Sequence, residues 1–151
     1  MSHARKLIDA CDDSEKIKAT GQYTVSDSLS QRYFEYVADR VAEAKKRDGS
    51  MEYHVVVAPR ESGESRGEDA RLTAFGGLGI RDLLTMKSVE HPWPFEVLIG
   101  GHSVIIALLG GKAESKYEAA VKITDPVFSK EAAEWFRDVI WSKAKEMSPV
   151  G

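Results

Sequence analysis

The chain has 151 residues, of which 42% are hydrophobic and 30% charged, a composition that excludes collagen-like, mucin-like and wholly disordered proteins. Twenty-one basic and twenty-four acidic side chains give a formal net charge of −3, which argues against a nucleic-acid partner held by bulk positive charge. The one cysteine, Cys11, excludes an internal disulfide and a multi-cysteine metal site. We therefore expect a single α/β domain over residues 1–151, without a cofactor, in a reducing cytoplasm.

The N-terminal half predicts helices and strands that alternate. The clearest helix repeats apolar residues every three or four positions from Tyr33 to Ala44, and Gly49 ends it. Three consecutive valines, Val55 to Val57, are typical of a buried strand. The predicted elements in chain order are a helix over 4–16, a strand over 17–25, the helix ended by Gly49, a strand over 51–58, a charged loop over 60–69 and a broken helical segment over 72–84.

The C-terminal half predicts a β-hairpin, then a strand and a helix. Two apolar runs, 95–99 and 104–109, flank a glycine-rich gap, which is a hairpin signal. Polar residues and glycines interrupt this stretch too often for a membrane span, which needs about 20 apolar residues. The other predicted elements are a short strand over 86–89, a strand over 117–123 and a final helix over 129–147. This order predicts one layered mixed β-sheet flanked by helices.

Few residues stand in a pattern that predicts catalysis. No pair of histidines has the HExxH spacing of a zinc site, and most are expected to be structural or solvent-facing. His102 is the strongest functional candidate, because an imidazole in a glycine turn is both accessible and supported. Gly110-Gly111-Lys112 resembles part of a phosphate loop, but Ala113 stands where that loop has Ser or Thr.

Several stretches, taken in order, are similar to one half of a phospholipase D-like domain. Its opening helix and strand resemble LIDACDDSEKIKATGQYTV, its catalytic region resembles FEVLIGGHSVIIALLGG, and its closing strand and helix resemble VKITDPVFSKEAAEWFRDVIWSKAKEM. The chemistry of that superfamily uses HxKxxxxD, in which the histidine attacks phosphorus and the lysine stabilises phosphate charge. Counted from His102, the lysine position holds Val104 and the aspartate position holds Leu109. The resemblance therefore implies a phospholipase D-like fold that lacks the catalytic motif.

The resemblance also implies a non-catalytic, regulatory domain that senses a ligand or binds a partner. A small molecule or a phosphate-containing ligand is expected near the hairpin, and the pairing of halves in the superfamily implies a homodimer or a protein partner. The expected ligand-binding residues are His102, Ser103, Gly100, Gly101, Lys112 and His54. Two alternatives stay open. One is a phosphodiesterase-type enzyme with an atypical site, and the other is a structural or assembly subunit that acts through a protein interface.

Overall fold

The computed structural model describes residues 2–24, 30–58, 68–91, 93–109 and 117–146. Within them, the helices are α1 (Ser2–Asp9), α2 (Gln31–Lys46), α3 (Ala70–Gly77) and α4 (Pro126–Trp135). The strands are β1 (Lys16–Gln22), β2 (Glu52–Ala58), β3 (Leu84–Ser88), β4 (Phe95–Gly100), β5 (Ser103–Leu109), β6 (Tyr117–Thr124) and β7 (Lys145–Glu146). The predicted mixed α/β architecture is confirmed. No helix in these ranges has the length and apolarity needed to cross a membrane.

All seven strands belong to one mixed sheet, in the order β6-β5-β4-β1-β2-β3-β7. Strand β1 pairs in parallel with β2, where Ala19 lies beside Val55, and antiparallel with β4, where Ala19 lies beside Leu98. Strand β2 pairs in parallel with β3, so α2 and α3 lie in the crossover connections that parallel neighbours require. Strands β4, β5 and β6 form an antiparallel meander, which contains the predicted hairpin.

Alternation along the strands divides the interior into two apolar layers. Ile17 and Ala19 of β1 pack with the buried faces of α1, α2 and α3. On the opposite face of the sheet, Val56 packs with Phe136 and Ile140, which follow α4. Since successive side chains of a strand point to opposite faces, the sheet lies between two helical layers.

The predicted first helix, residues 4–16, is too long. Helix α1 ends at Asp9, and β1 already begins at Lys16. The carboxylate of Asp13 accepts hydrogen bonds from Arg47 at 2.8 Å and from Arg40 at 3.0 Å, which ties this connection to α2. These hydrogen bonds, with that of Arg47 the stronger influence, lower the pKa of Asp13. The polar residues after Asp9 therefore join two elements instead of continuing a helix.

The broken helical segment predicted over 72–84 consists of three separate elements. Helix α3 ends at Gly77, a 3-10 turn covers Arg81–Leu83, and β3 starts at Leu84, two residues before the predicted strand. Gly79 has a φ of +69°, a backbone conformation that side chains disfavour. Of the charged loop predicted over 60–69, residues 60–67 lie outside the described ranges. Its last residue is fully buried, contrary to the prediction.

The final helix, predicted over 129–147, differs at both ends. Helix α4 begins at Pro126, because Asp125 is its N-cap and accepts a hydrogen bond from the Phe128 N–H at 2.7 Å. The helix then widens into a π-helical turn over Phe136–Ile140 and tightens into a 3-10 turn over Trp141–Lys143. The helical segment therefore begins at Pro126 and ends at Lys143, before β7.

The packing of the hairpin against α1 generates a stability prediction at Gly100. A Cβ at this position would lie 2.7 Å from Cys11 Sγ and 2.9 Å from Leu7 Cδ2, both in the buried core. We expect Gly100→Ala to lower the free energy of unfolding by about 1–3 kcal/mol, as overpacked cores do. The control is Gly77→Ala, where a Cβ would meet nothing within 4 Å, and where we expect a change of less than about 1 kcal/mol. Urea unfolding of both variants measures the difference, and equal losses would contradict this packing.

Candidate functional site

The hairpin turn, where sequence reasoning placed the ligand site, uses its polar groups to join neighbouring elements. Gly101 adopts a φ of +57°, and its N–H donates to Glu15 Oε1. The carbonyl of His102 accepts from the Asp125 N–H at 2.8 Å, and the Ser103 hydroxyl lies 2.9 Å from Thr124 Oγ1. These bonds join the turn to the segment before β1, to the N-cap of α4 and to β6. The turn covers two residues instead of the predicted four.

The other residues of the predicted ligand site do not gather at the turn. Gly100 is buried against α1, and the imidazole of His102 is exposed. His54 lies on β2, separated from the hairpin by β1 in the strand order. Lys112 lies outside the described residues. The structure therefore does not bring His54 and His102 into one site.

A buried ion pair lies where parallel strands β1 and β2 end, an edge at which α/β proteins often bind ligands. Asp69 is fully buried and caps α3 by accepting from the Arg71 N–H at 2.9 Å, and it also accepts from the Thr24 N–H at 2.9 Å. The Arg71 guanidinium donates to Asp69 Oδ2 at 3.1 Å and lies 4.3 Å from the centre of the Phe34 ring. These contacts join α3 to the backbone after β1 and give the pair a structural role, while Arg71 Nε is buried and forms no hydrogen bond with the described residues.

Gly21 makes room for this ion pair. A Cβ at Gly21 would lie 2.5 Å from Arg71 Nη2. The guanidinium thus occupies the space that a side chain of β1 would fill, and a larger residue would displace it. Strand β1 continues through Gly21 and ends at Gln22, before the end predicted for this strand at residue 25.

A cationic groove lies on the opposite face of the sheet, between strands β1–β2 and the helical layer that follows Asp125. It has a volume of about 300 Å³. Helical spacing places Lys130, Glu134 and Arg137 along one side of it, and the sheet contributes the neighbours Lys18 and His54, which lie side by side in register. The lining residues of the groove are Lys18, His54, Lys130, Ala133, Glu134, Phe136, Arg137 and Trp141.

The charges of the groove are mainly positive. Three of its residues, Lys18, Lys130 and Arg137, are cationic, and Glu134 is its carboxylate. Burial lowers the pKa of Lys18, whose ammonium donates to the Lys16 carbonyl at 2.9 Å. Arg137 pairs with Asp138 at 2.8 Å, but both side chains are more than 60% exposed, so solvent weakens this pair. The groove therefore presents cations that an anionic ligand can reach.

Trp141 lines the groove and is held by several side chains. Its ring stacks on His54, with centroids 5.1 Å apart and planes 14° apart. Lys87 Nζ lies 4.3 Å from the centre of the indole and also donates to the Trp141 carbonyl at 3.2 Å. His54 is itself oriented by Glu52 Oε1 at 3.0 Å, and this hydrogen bond lowers the pKa of Glu52. The indole is thus a fixed wall of the groove.

Sequence reasoning singled out His54 but missed the residues beside it. The alternation of Lys16 and Lys18 with the apolar residues of β1 is a signal that both lysines leave the core. The spacing of Lys130 and Arg137, seven residues apart, likewise indicates one side of a helix. The π-helical turn was not predictable from these patterns, although such turns are frequent at functional sites. It contributes Phe136 and Arg137 to the groove.

Comparisons with known proteins identify a related fold. No family model and no curated protein matches the chain. The chain is similar to the solved structure of TrmBL2, described as an archaeal chromatin protein that shows a novel mode of DNA binding. The likeness has a TM-score of 0.60 at 17% sequence identity and covers 97% of this chain and 50% of that chain. The chain therefore spans about half the length of this structural neighbour, and at this identity the likeness shows a shared fold.

The expected phospholipase D-like identity is wrong. The structural neighbour TrmBL2 is described as a DNA-binding chromatin protein, which does not point to a phospholipase D-like domain. The stretches that carried the resemblance are helices and strands in an order that many layered α/β proteins share, and they contain no complete HxKxxxxD motif. The ligand-sensing function was predicted from this resemblance, and it is wrong as well. Neither alternative, the atypical phosphodiesterase or the assembly subunit, gains support from the likeness.

The exclusion of nucleic acid on the basis of net charge is also overturned by this structural neighbour. Net charge is a sum over the whole chain, whereas a phosphate responds to the charges within about 10 Å of it. The same chain carries a net charge of −3 and a groove in which cations outnumber carboxylates. Local charge is therefore the relevant quantity.

The structural role of the buried ion pair can be tested by removing its cation. Arg71→Met leaves the Asp69 carboxylate buried without its partner, and we expect a loss of about 3–5 kcal/mol in the free energy of unfolding. The double variant Asp69→Asn/Arg71→Met removes both charges, and we expect it to be more stable than Arg71→Met alone. Urea unfolding measures both variants. A double variant that is less stable than the single one would show that the charge pairing does not hold this edge.

Proposed function

We propose that this chain binds DNA and that the cationic groove holds the phosphate backbone. The observation that carries the proposal is the concentration of Lys18, Lys130 and Arg137 in one groove of a chain whose net charge is negative. The likeness to TrmBL2 supports it, because nearly all of this chain shares a fold with half of a protein described as binding DNA. The cytoplasmic location expected from the sequence is part of the same proposal.

The charge state of the groove suits a phosphate ligand. The ammonium of Lys18 is partly withdrawn from water, and the same burial lowers its pKa, so a nearby anion would stabilise its charged form. Lys130 is exposed and forms no ion pair with another described residue. Arg137 can exchange its exposed partner Asp138 for a phosphate at little cost, because surface pairs contribute about 1 kcal/mol or less.

The size of the groove limits the strength of binding. Three cations neutralise about three phosphates, so we expect a dissociation constant in the range of non-specific DNA binding, roughly 10⁻⁴ to 10⁻⁶ M at physiological salt. TrmBL2 is about twice as long as this chain, so the likeness covers only part of that protein. We propose that the groove supplies one contact and not the whole affinity of such a protein.

The DNA-binding test compares two charge reversals of equal size. We expect Lys130→Glu/Arg137→Glu to weaken binding of a labelled 24-bp duplex on the order of tenfold at 50 mM salt and to reduce the salt slope by about 2. Fluorescence anisotropy measures both quantities. The matched control is Lys45→Glu/Lys46→Glu in the last turn of α2, whose exposed side chains belong to the helical layer on the other face of the sheet. Equal losses in the two double variants would contradict the groove, and a wild-type chain that binds no duplex at 50 mM salt would contradict the function.

Lys18 gives a second test that separates binding from folding. Burial opposes its positive charge, and below the lowered pKa the folded chain bears this cost in full. Removing the charge by Lys18→Met should therefore not lower the melting temperature, whereas it should weaken duplex binding by several-fold. Thermal unfolding and anisotropy measure the two effects on the same preparation. A loss of stability together with unchanged binding would assign Lys18 a structural role.

A further inference from the structure

The lining of the cationic groove contains charge but no group that is free to read a base. Stacking platforms for single-stranded nucleic acid are open aromatic faces. The aromatic residues of the groove are Phe136 and Trp141. Phe136 is 1% exposed and belongs to the second apolar layer. The indole of Trp141 is engaged by His54 and Lys87, at 5.1 Å and 4.3 Å from its ring centre.

The polar groups of the groove are equally unsuited to base-edge recognition. Adenine and guanine are read by bidentate Asn, Gln or Arg side chains, and Arg137 is the one residue of these types among the lining residues. Its Nε and Nη2 donate to Asp138, at 2.8 Å and 3.2 Å, in an exposed pair that a phosphate can replace, and a single arginine can read one guanine at most. His54 is held by Glu52 at 3.0 Å. A flexible cation such as Lys130 can meet a phosphate but selects no base.

Resting on the proposed function, we infer that the groove recognises the phosphate backbone of duplex DNA, independently of sequence, and discriminates against single strands. A duplex presents about twice as many phosphates per length as one strand, and its condensed counterions make charge neutralisation more favourable. A single strand would offer unstacked bases, and the one partly exposed indole or phenyl ring of the groove, that of Trp141, is already in contact with His54 and Lys87. Because the indole is not available for stacking on bases, we expect the groove to bind duplex DNA more tightly than single-stranded DNA.

Competition against a labelled 24-bp duplex tests this inference with the full chain. The competitors are an A·T-rich duplex, a G·C-rich duplex and a 24-nucleotide thymidine strand, all at 50 mM salt. We expect the two duplexes to compete within about twofold of each other and the single strand to compete at least about fivefold less well. A single strand that competes as well as the duplexes, or duplexes that differ by tenfold, would overturn the inference. Absence of binding to the labelled duplex would overturn the proposed function itself.

A variant of Trp141 tests the same inference even if the substitution destabilises the protein. If the indole stacked on bases, Trp141→Leu would weaken single-strand binding more than duplex binding. We expect the ratio of the two affinities to stay within about twofold of wild type, because the ring serves as a wall and not as a platform. A loss of folded protein lowers both apparent affinities equally and cancels in this ratio. A selective loss of single-strand binding would show that Trp141 contacts bases and would overturn the inference.

Discussion

Strand β1 faces two different environments along its seven residues, and its register determines where both layers of the protein lie. Ile17 and Ala19 face the layer of three helices, whereas Lys16 and Lys18 alternate with them and point to the other face. A slip of one residue would exchange these sets, so that lysines would meet the apolar faces of the helices. Gly21 lies on the same face as Ile17 and Ala19, and the Arg71 guanidinium leaves no room for a side chain at this position. The core and the groove thus depend on the same strand.

The acidic net charge and the cationic groove coexist because charges that lie far from the groove are screened from it. Asp13 is bound by Arg40 and Arg47, and Asp69 is bound by Arg71. These pairs hold elements of the layer that contains α2 and α3, on the face of the sheet opposite the groove. Charge that is neutralised within one layer contributes little to the potential at the other, since screening acts over about 10 Å. The net charge of the sequence does not show on which face of the sheet each charge lies.

The helices and strands could be predicted because their patterns repeat within short segments. The groove could not, because its residues are far apart in the sequence. The amphipathic pattern of α2 and the apolar runs of the hairpin are repeats within short segments, so the sequence alone indicated them. The groove joins Lys18, His54 and Arg137, which come from three elements far apart in the chain. No spacing rule connects such residues, and His54 was therefore grouped with His102 instead of with its true neighbours. The resemblance to a known superfamily failed for a related reason, because it rested on the order of elements and not on a chemical motif.

The position of β1 in the sheet has a consequence for the protein during its synthesis. One neighbour of β1 is β2, but the other is β4, whose pairing residues Leu98 and Ile99 come about 80 positions later. At roughly 5–20 residues per second, the ribosome needs on the order of 4–16 s to make that partner. Over this interval the strand at the middle of the finished sheet is an unpaired edge, of the kind that invites association with other chains. The lysines at positions 16 and 18 place charge on that temporary edge, a feature that disfavours pairing with another chain, and Lys18 also lines the groove in the folded protein.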